Sequence, residues 1–146
     1  MNTGENKPAI NSSVPKIVGR LCIVLVTACQ MQSSYATDSV ASGKALFVSL
    51  ACASCHAVGP GARAGFGPQL NGIFGRVAGS TVDYQSRYSA AIKQSGIVWS
   101  EQSLTKFINS PSDLIPGTKM RFWGLSDKKK VDDLLAYLRS FPVDPK

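Results

Sequence analysis

Cys52-Ala53-Ser54-Cys55-His56 constrains this chain more than any other stretch, because His56 is the sole histidine among its 146 residues. Two thiols followed at once by an imidazole have the C-x-x-C-H form of a covalent attachment site for a c-type haem. The thiols can add across two vinyl groups, and the imidazole then reaches the iron from one face. A chain organised by such a group must close around a large apolar plate, which adds to the modest core of a small domain. Other readings of the cysteine pair fit less well. A thioredoxin-like redox pair wants a strand before it and a helix beginning at it. A zinc knuckle wants two more ligands at similar spacing, and the remaining cysteines, Cys22 and Cys29, lie in an apolar N-terminal stretch. A disulfide across two residues would close a small, strained loop.

The N-terminus reads as a targeting segment. Residues 1–20 are polar, with Lys7, Lys16 and Arg20 against Glu5, and residues 21–28 form a short apolar core. That core is too short to span a bilayer, which takes about 20 residues. Ser34-Tyr35-Ala36 resembles a small-x-small cleavage site, which makes residues 1–36 a signal peptide and 37–146 the mature domain. The alternative is Val26-Thr27-Ala28-Cys29, which resembles a lipobox. In that case residues 1–28 are the signal and Cys29 becomes an acylated membrane anchor. Either route predicts export to a periplasmic location, with membrane association in the second.

Lys and Arg outnumber Asp and Glu by 16 to 9, a net +7, and residues 37–146 keep 13 against 8. Apart from Lys128-Lys129-Lys130 the basic residues are scattered, and no nucleic-acid module is legible. Acidic protein surfaces are the expected partners.

From Asp38 on, helical patches alternate with glycine-rich loops. Ser42 to Ala51 reads as a first helix with Leu46, Phe47 and Leu50 together. Residues 58–72 and 111–124 read as loops, rich in Gly and Pro. Ser89 to Gln94 reads as a turn or two of helix. Ser100 opens a helix to about Asn109, with Leu104, Phe107 and Ile108 apolar. Ser126 reads as the cap of a last helix whose Val131, Leu134, Leu135 and Leu138 recur at i, i+3, i+4 and i+7. No strand alternation or internal repeat is visible. The expectation is an all-α fold of about four to five helices, with long loops wrapped around one cofactor.

After processing, one methionine remains, Met120, in Ile115-Pro116-Gly117-Thr118-Lys119-Met120. A Pro-Gly turn is a poor setting for a gap-filling core methionine. With no second histidine, Met120 is the candidate for the sixth iron ligand. A soft thioether favours ferrous iron and raises the reduction potential.

Together these segments resemble the class I cytochromes c, over nearly all of residues 39–140. Gly43-Lys44-Ala45-Leu46-Phe47 resembles the family's first helix, and Cys52 to His56 its haem site. Gly67-Pro68-Gln69-Leu70-Asn71-Gly72-Ile73-Phe74-Gly75-Arg76 resembles the loop that follows. Tyr88-Ser89, Gly96-Ile97 and Trp99 resemble the propionate-side segment. Pro116 to Met120 with Phe122 resembles the methionine loop, and Leu134 to Leu138 the final helix. The resemblance implies one haem c held by Cys52 and Cys55, with His56 and Met120 as metal ligands. It also implies that the Pro68 carbonyl orients His56 and that Arg76, Tyr88 and Trp99 meet the haem propionates. Gly43 and Phe47 would pack on Tyr137 where the first and last helices cross.

Phe107 stands where the family usually has a tyrosine hydroxyl near the methionine sulfur, and Ile92 where it usually has a polar residue. Ser112-Asp113 replace lysines that many relatives carry at the haem edge. Trp123, just past the methionine loop, is a candidate partner contact. The implied function is a non-enzymatic, monomeric electron carrier. Its implied partners are a quinol–cytochrome c reductase and a terminal oxidase or other acidic redox proteins, with no role for nucleic acid. The alternatives are a haem enzyme or gas sensor with a displaceable Met120, and a membrane-anchored subunit of one redox complex.

Overall fold

The computed structural model describes residue 1 and residues 37–142. By contacts the chain parts between Ser34 and Tyr35, and the account below concerns the second part. The expected signal peptide, its cleavage point after Ala36, Cys22 and the anchor Cys29 lie outside the described residues.

Five helices make up the described part: α1 (37–49), α2 (Ala90–Gln94), α3 (Glu101–Asn109), α4 (Pro111–Leu114) and α5 (Lys128–Arg139). Single 3₁₀ turns stand at Cys52–Ser54 and Val82–Tyr84. There is no strand among the described residues, only an antiparallel bridge between Val77 and Val98. None of these helices is long and apolar enough to cross a membrane.

Local chemistry accounts for the helix ends. α1 begins earlier than its apolar pattern suggests and stops at Ser49. Ala51 then takes a left-handed conformation (φ 59°), which ends the helix and swings the chain into the turn that carries Cys52. Ser89 caps α2 through Ile92 N. Ser100 and Ser103 cap α3 reciprocally, side chain to backbone in both directions. The last helix starts one residue later than expected. Asp127, not Ser126, is its cap, because the Asp127 carboxylate reaches Lys130 N at 3.1 Å. The segment after Pro111 is also not all loop. Pro111 supplies a preset φ at the first helical position, and one short helix forms before the methionine loop.

The apolar stripes of these helices meet in one core: Phe47 from α1, Leu104, Phe107 and Ile108 from α3, and Val131, Leu134, Leu135, Tyr137 and Leu138 from α5. Ile73, Trp99 and Ile115 join it from the loops. Phe47 and Tyr137 rings stand 5.5 Å apart where α1 crosses α5. Gly43 makes that crossing possible. It is buried, and a side chain there would overlap the Asp133 carbonyl and come within 2.7 Å of Tyr137 Cβ. Backbone on one side cannot yield as a flexible side chain could.

Gly43→Leu is therefore expected to cost about 3 kcal/mol or more, the upper range for overpacking a close contact. Thermal unfolding followed by circular dichroism measures it, and an unchanged Tm would mean that this glycine does not close the α1–α5 crossing.

Candidate functional site

The turn after α1 brings Cys52, Cys55 and His56 to one wall. The His56 and Cys55 amides both bond to the Cys52 carbonyl, at 2.9 and 3.1 Å. Both thiols are free, Cys52 half-buried and Cys55 exposed. Burial pushes the Cys52 thiol up, against a weaker opposing pull from a backbone hydrogen bond, so it is held as a neutral thiol.

His56 Nδ1 lies 2.8 Å from the Pro68 carbonyl. A carbonyl only accepts, so Nδ1 carries the proton. Burial pushes the imidazole pKa down, and the Pro68 bond only partly offsets it. The ring is then neutral, with its lone pair at Nε2, the form that binds a metal. Gly67 sits flat against this ring: a Cβ there would come within 2.5 Å of His56 Cε1.

Met120 is half-buried and packs against the core. Its loop is built by short-range turns, with Ile115 N on Pro111 O and Thr118 N on Ile115 O, both at 3.0 Å. Thr118 Oγ1 accepts from Met120 N at 3.3 Å. The far end is pinned to α3, where Leu125 N reaches Ile108 O at 3.0 Å. Gly124 presses so closely on the Asn109 carbonyl that a side chain would collide with it.

Cys52, Cys55, His56, Pro68 and Met120 all line one cavity of about 490 Å³, within the size range of cofactor pockets. The rest of its wall is largely apolar and aromatic, including Leu50, Phe66, Ile92, Phe107, Phe122 and Trp123. Two of the departures noted in the sequence, Ile92 and Phe107, thus stand on the cavity wall. A flat apolar group tethered by two thioethers fits this donor set: two thiols, one imidazole lone pair and one soft thioether.

The three residues implied for the propionates are placed differently. Tyr88 lines the cavity, while Arg76 and Trp99 do not. Trp99 is buried beside Phe107, ring centroids 5.0 Å apart. The Arg76 guanidinium donates to Gln69 O at 2.9 Å, to Thr81 Oγ1 at 2.8 Å and to Asn71 O. Asn71 in turn exchanges two 2.8 Å bonds with the Gly59 backbone. Arg76 thereby braces the loop that carries Pro68. Burial lowers its pKa and raises that of Tyr88.

Sequence reasoning missed Phe66, Tyr84, Arg87 and Thr118, which also line the cavity. None has a periodic setting that marks it, and only Thr118 stands inside a motif. Trp123 is 81% exposed at the cavity, and the exposed cations Arg87, Lys119 and Arg121 line it too. Ser112 and Asp113 are exposed on α4.

A family model described as Cytochrome c matches residues 40–142. Cytochrome c2 of Blastochloris viridis is 45% identical over 109 residues, which cover 75% of this chain and 83% of that protein. Cytochrome c-550 of Bradyrhizobium diazoefficiens is 42% identical over 106 residues, 73% of this chain and 75% of that one. Among solved structures, cytochrome cH from Methylobacterium extorquens matches with a TM-score of 0.60 and 38% identity, over 69% of this chain and 97% of that one.

Gly67→Ala should force the His56 ring away from Pro68 and lower stability by about 1–3 kcal/mol, as other overpacked contacts do. The check is the His56 Nδ1 proton in NMR spectra: it should exchange faster with solvent, and an unchanged proton would refute the contact.

Proposed function

Because this chain belongs to the cytochrome c family, as a class I electron carrier with one covalently bound c-type haem, we propose that Cys52 and Cys55 would form the thioethers and that His56 and Met120 would bind the iron. The observation that carries this assignment is the shared cavity, in which both thiols, the imidazole and the methionine line one largely apolar wall. The bound haem supplies a one-electron couple between ferric and ferrous iron. The chain's own residues set its conditions. The Pro68 carbonyl holds the Nδ1 proton of His56 and so fixes the tautomer and basicity of the ring. The Met120 thioether favours the reduced state and raises the potential. Ile92, Phe107 and Phe122 keep water from that wall. Tyr88, on the cavity wall, would meet the propionates, and Arg76 would contribute a half-buried positive charge close to Tyr88, while Trp99, off that wall, would act from behind Phe107.

The partners in this reading are acidic redox proteins, a quinol–cytochrome c reductase upstream and a terminal oxidase or another reductase downstream. The cavity supports it: Arg87, Lys119 and Arg121 are among its lining residues, and among the described residues no carboxylate is. Such a rim steers encounter electrostatically. Trp123, exposed beside these cations, is the contact residue. The carrier works as a monomer after export to the periplasm, released by cleavage after Ala36 or tethered through Cys29.

The ferric protein should show the long-wavelength Met–iron charge-transfer band, and Met120→Ala should abolish it and lower the potential. A wild-type spectrum without that band removes Met120 from the ligand set. Phe107→Tyr should shift the potential by restoring a hydroxyl to the wall, and an unchanged value would mean that the apolar wall does not tune it. Trp123→Ala should slow electron transfer to the partner about fivefold, the cost of truncating one well-packed interface aromatic. Transfer should also slow as salt rises. A rate that is unchanged in the variant would exclude Trp123 from the contact.

A further inference from the structure

Residues 64–66 are held in an unusual way. They form the outer turn between His56 and Pro68, and little apolar burial secures them: Phe66 is 86% exposed. Their own backbone makes one small closure, Gly65 N to Gly67 O at 2.9 Å. The other anchors come from side chains of the segment 83–87. The Asp83 carboxylate accepts from Ala64 N at 2.7 Å, the Arg87 guanidinium donates to Gly65 O at 2.5 Å, and the Tyr84 hydroxyl donates to Phe66 O at 2.5 Å. Three successive residues of the turn are thus each gripped by one polar side chain. Those side chains are themselves organised. Arg87 lies over the Tyr84 ring, 4.3 Å from its centroid, and Tyr84 meets Tyr88 edge-on at 4.8 Å.

This grip has a direct mechanical consequence. The turn leads into Gly67, whose amide bonds to Cys55 O at 2.8 Å and where a Cβ would collide with the imidazole. The carbonyl of Pro68, the next residue, accepts the hydrogen bond from His56 Nδ1. A displacement of residues 64–66 therefore moves the group that fixes the ring. On the other side, Lys119 Nζ donates to the Arg87 carbonyl at 2.9 Å. The segment 83–87 thus touches both the turn beside His56 and the loop that carries Met120.

We propose that Asp83, Tyr84 and Arg87 are positioning residues, a polar clasp that holds residues 64–66 and through them sets the His56–Pro68 hydrogen bond, with Lys119 joining the Met120 loop to the same clasp. The clasp tunes imidazole basicity, and with it the potential, without ligating iron, although Tyr84 and Arg87 also line the cavity. This inference rests on His56 being an iron ligand.

The test uses the holoprotein with Asp83→Ala, Tyr84→Phe, Arg87→Gln and the triple variant. Tyr84→Phe keeps the ring contacts and removes only the hydroxyl, and Arg87→Gln leaves the backbone carbonyl that Lys119 uses. Glu101→Gln, which breaks the distant Glu101–Arg139 pair, is the control. The readouts are solvent exchange of Gly67 N–H and of the His56 Nδ1 proton, neither bonded to the altered side chains, together with the midpoint potential. Each single variant should speed both protons about tenfold, the change that accompanies one lost hydrogen bond. The triple variant should speed them further and shift the potential, while the control changes neither.

Protons that stay protected in the triple variant would overturn the clasp. So would equal acceleration of the α3 and α5 amides, which marks general destabilisation, or faster protons at an unchanged potential, which marks a purely structural role. A wild-type ferric spectrum lacking six-coordinate His/Met character would instead overturn the ligand assignment itself, so the two failures are separable.

Discussion

The hydrogen bond between His56 and the Pro68 carbonyl is the constraint on which the site depends. It commits the one proton of a neutral, half-buried imidazole to Nδ1 and leaves Nε2 as the only lone pair the ring can offer. A backbone carbonyl can do this only if the loop that carries it is held in place. Much of the chain between residues 57 and 87 serves that purpose. Gly67 supplies flat backbone against the ring, Asn71 ties the loop to Gly59, and Arg76 holds three oxygens along it. An otherwise loop-rich region acquires the stiffness of a packed element through polar contacts.

The helices answer a different requirement. Their apolar stripes make a core around the α1–α5 crossing, where Gly43 admits the α5 backbone and Phe47 packs at a tilt against Tyr137. That core lies under one part of the molecule. The cavity takes Leu50, Ile92, Phe107 and Phe122 for its wall, so the interior is completed by the haem that this family carries. A small domain with long loops gains from such a plate the apolar contact that its own side chains are too few to provide.

A rigid site of this kind suits electron transfer because little has to rearrange between oxidation states. Met120 is fixed from both ends, by the Pro116-Gly117 turn and by the Gly124–Leu125 attachment to α3. Charge is arranged on the outside. Cations and exposed aromatics gather at the cavity, a distribution that under the proposed function would guide encounter with an acidic partner.

Cys52 to His56, the periodic stripes of α3 and α5, and the Pro-Gly-Thr-Lys-Met stretch were legible in the sequence, because each is a local pattern whose chemistry is contained in adjacent or helically spaced residues. The short helix at Pro111, the Asp127 cap and the left-handed Ala51 were not, because neighbouring residues of similar propensity compete and packing selects between them. Arg76 was expected at the propionates, but its three oxygen partners lie along a folded loop, so its bracing role follows only from the path of the chain. Arg87 and Tyr84 carry no motif at all. Sequence alone therefore determined the cofactor chemistry and the helical core, since covalent attachment and apolar periodicity are short-range properties. Tertiary structure alone decided which polar side chains hold the His56 loop, since those contacts join residues about 20 positions apart that no local pattern connects.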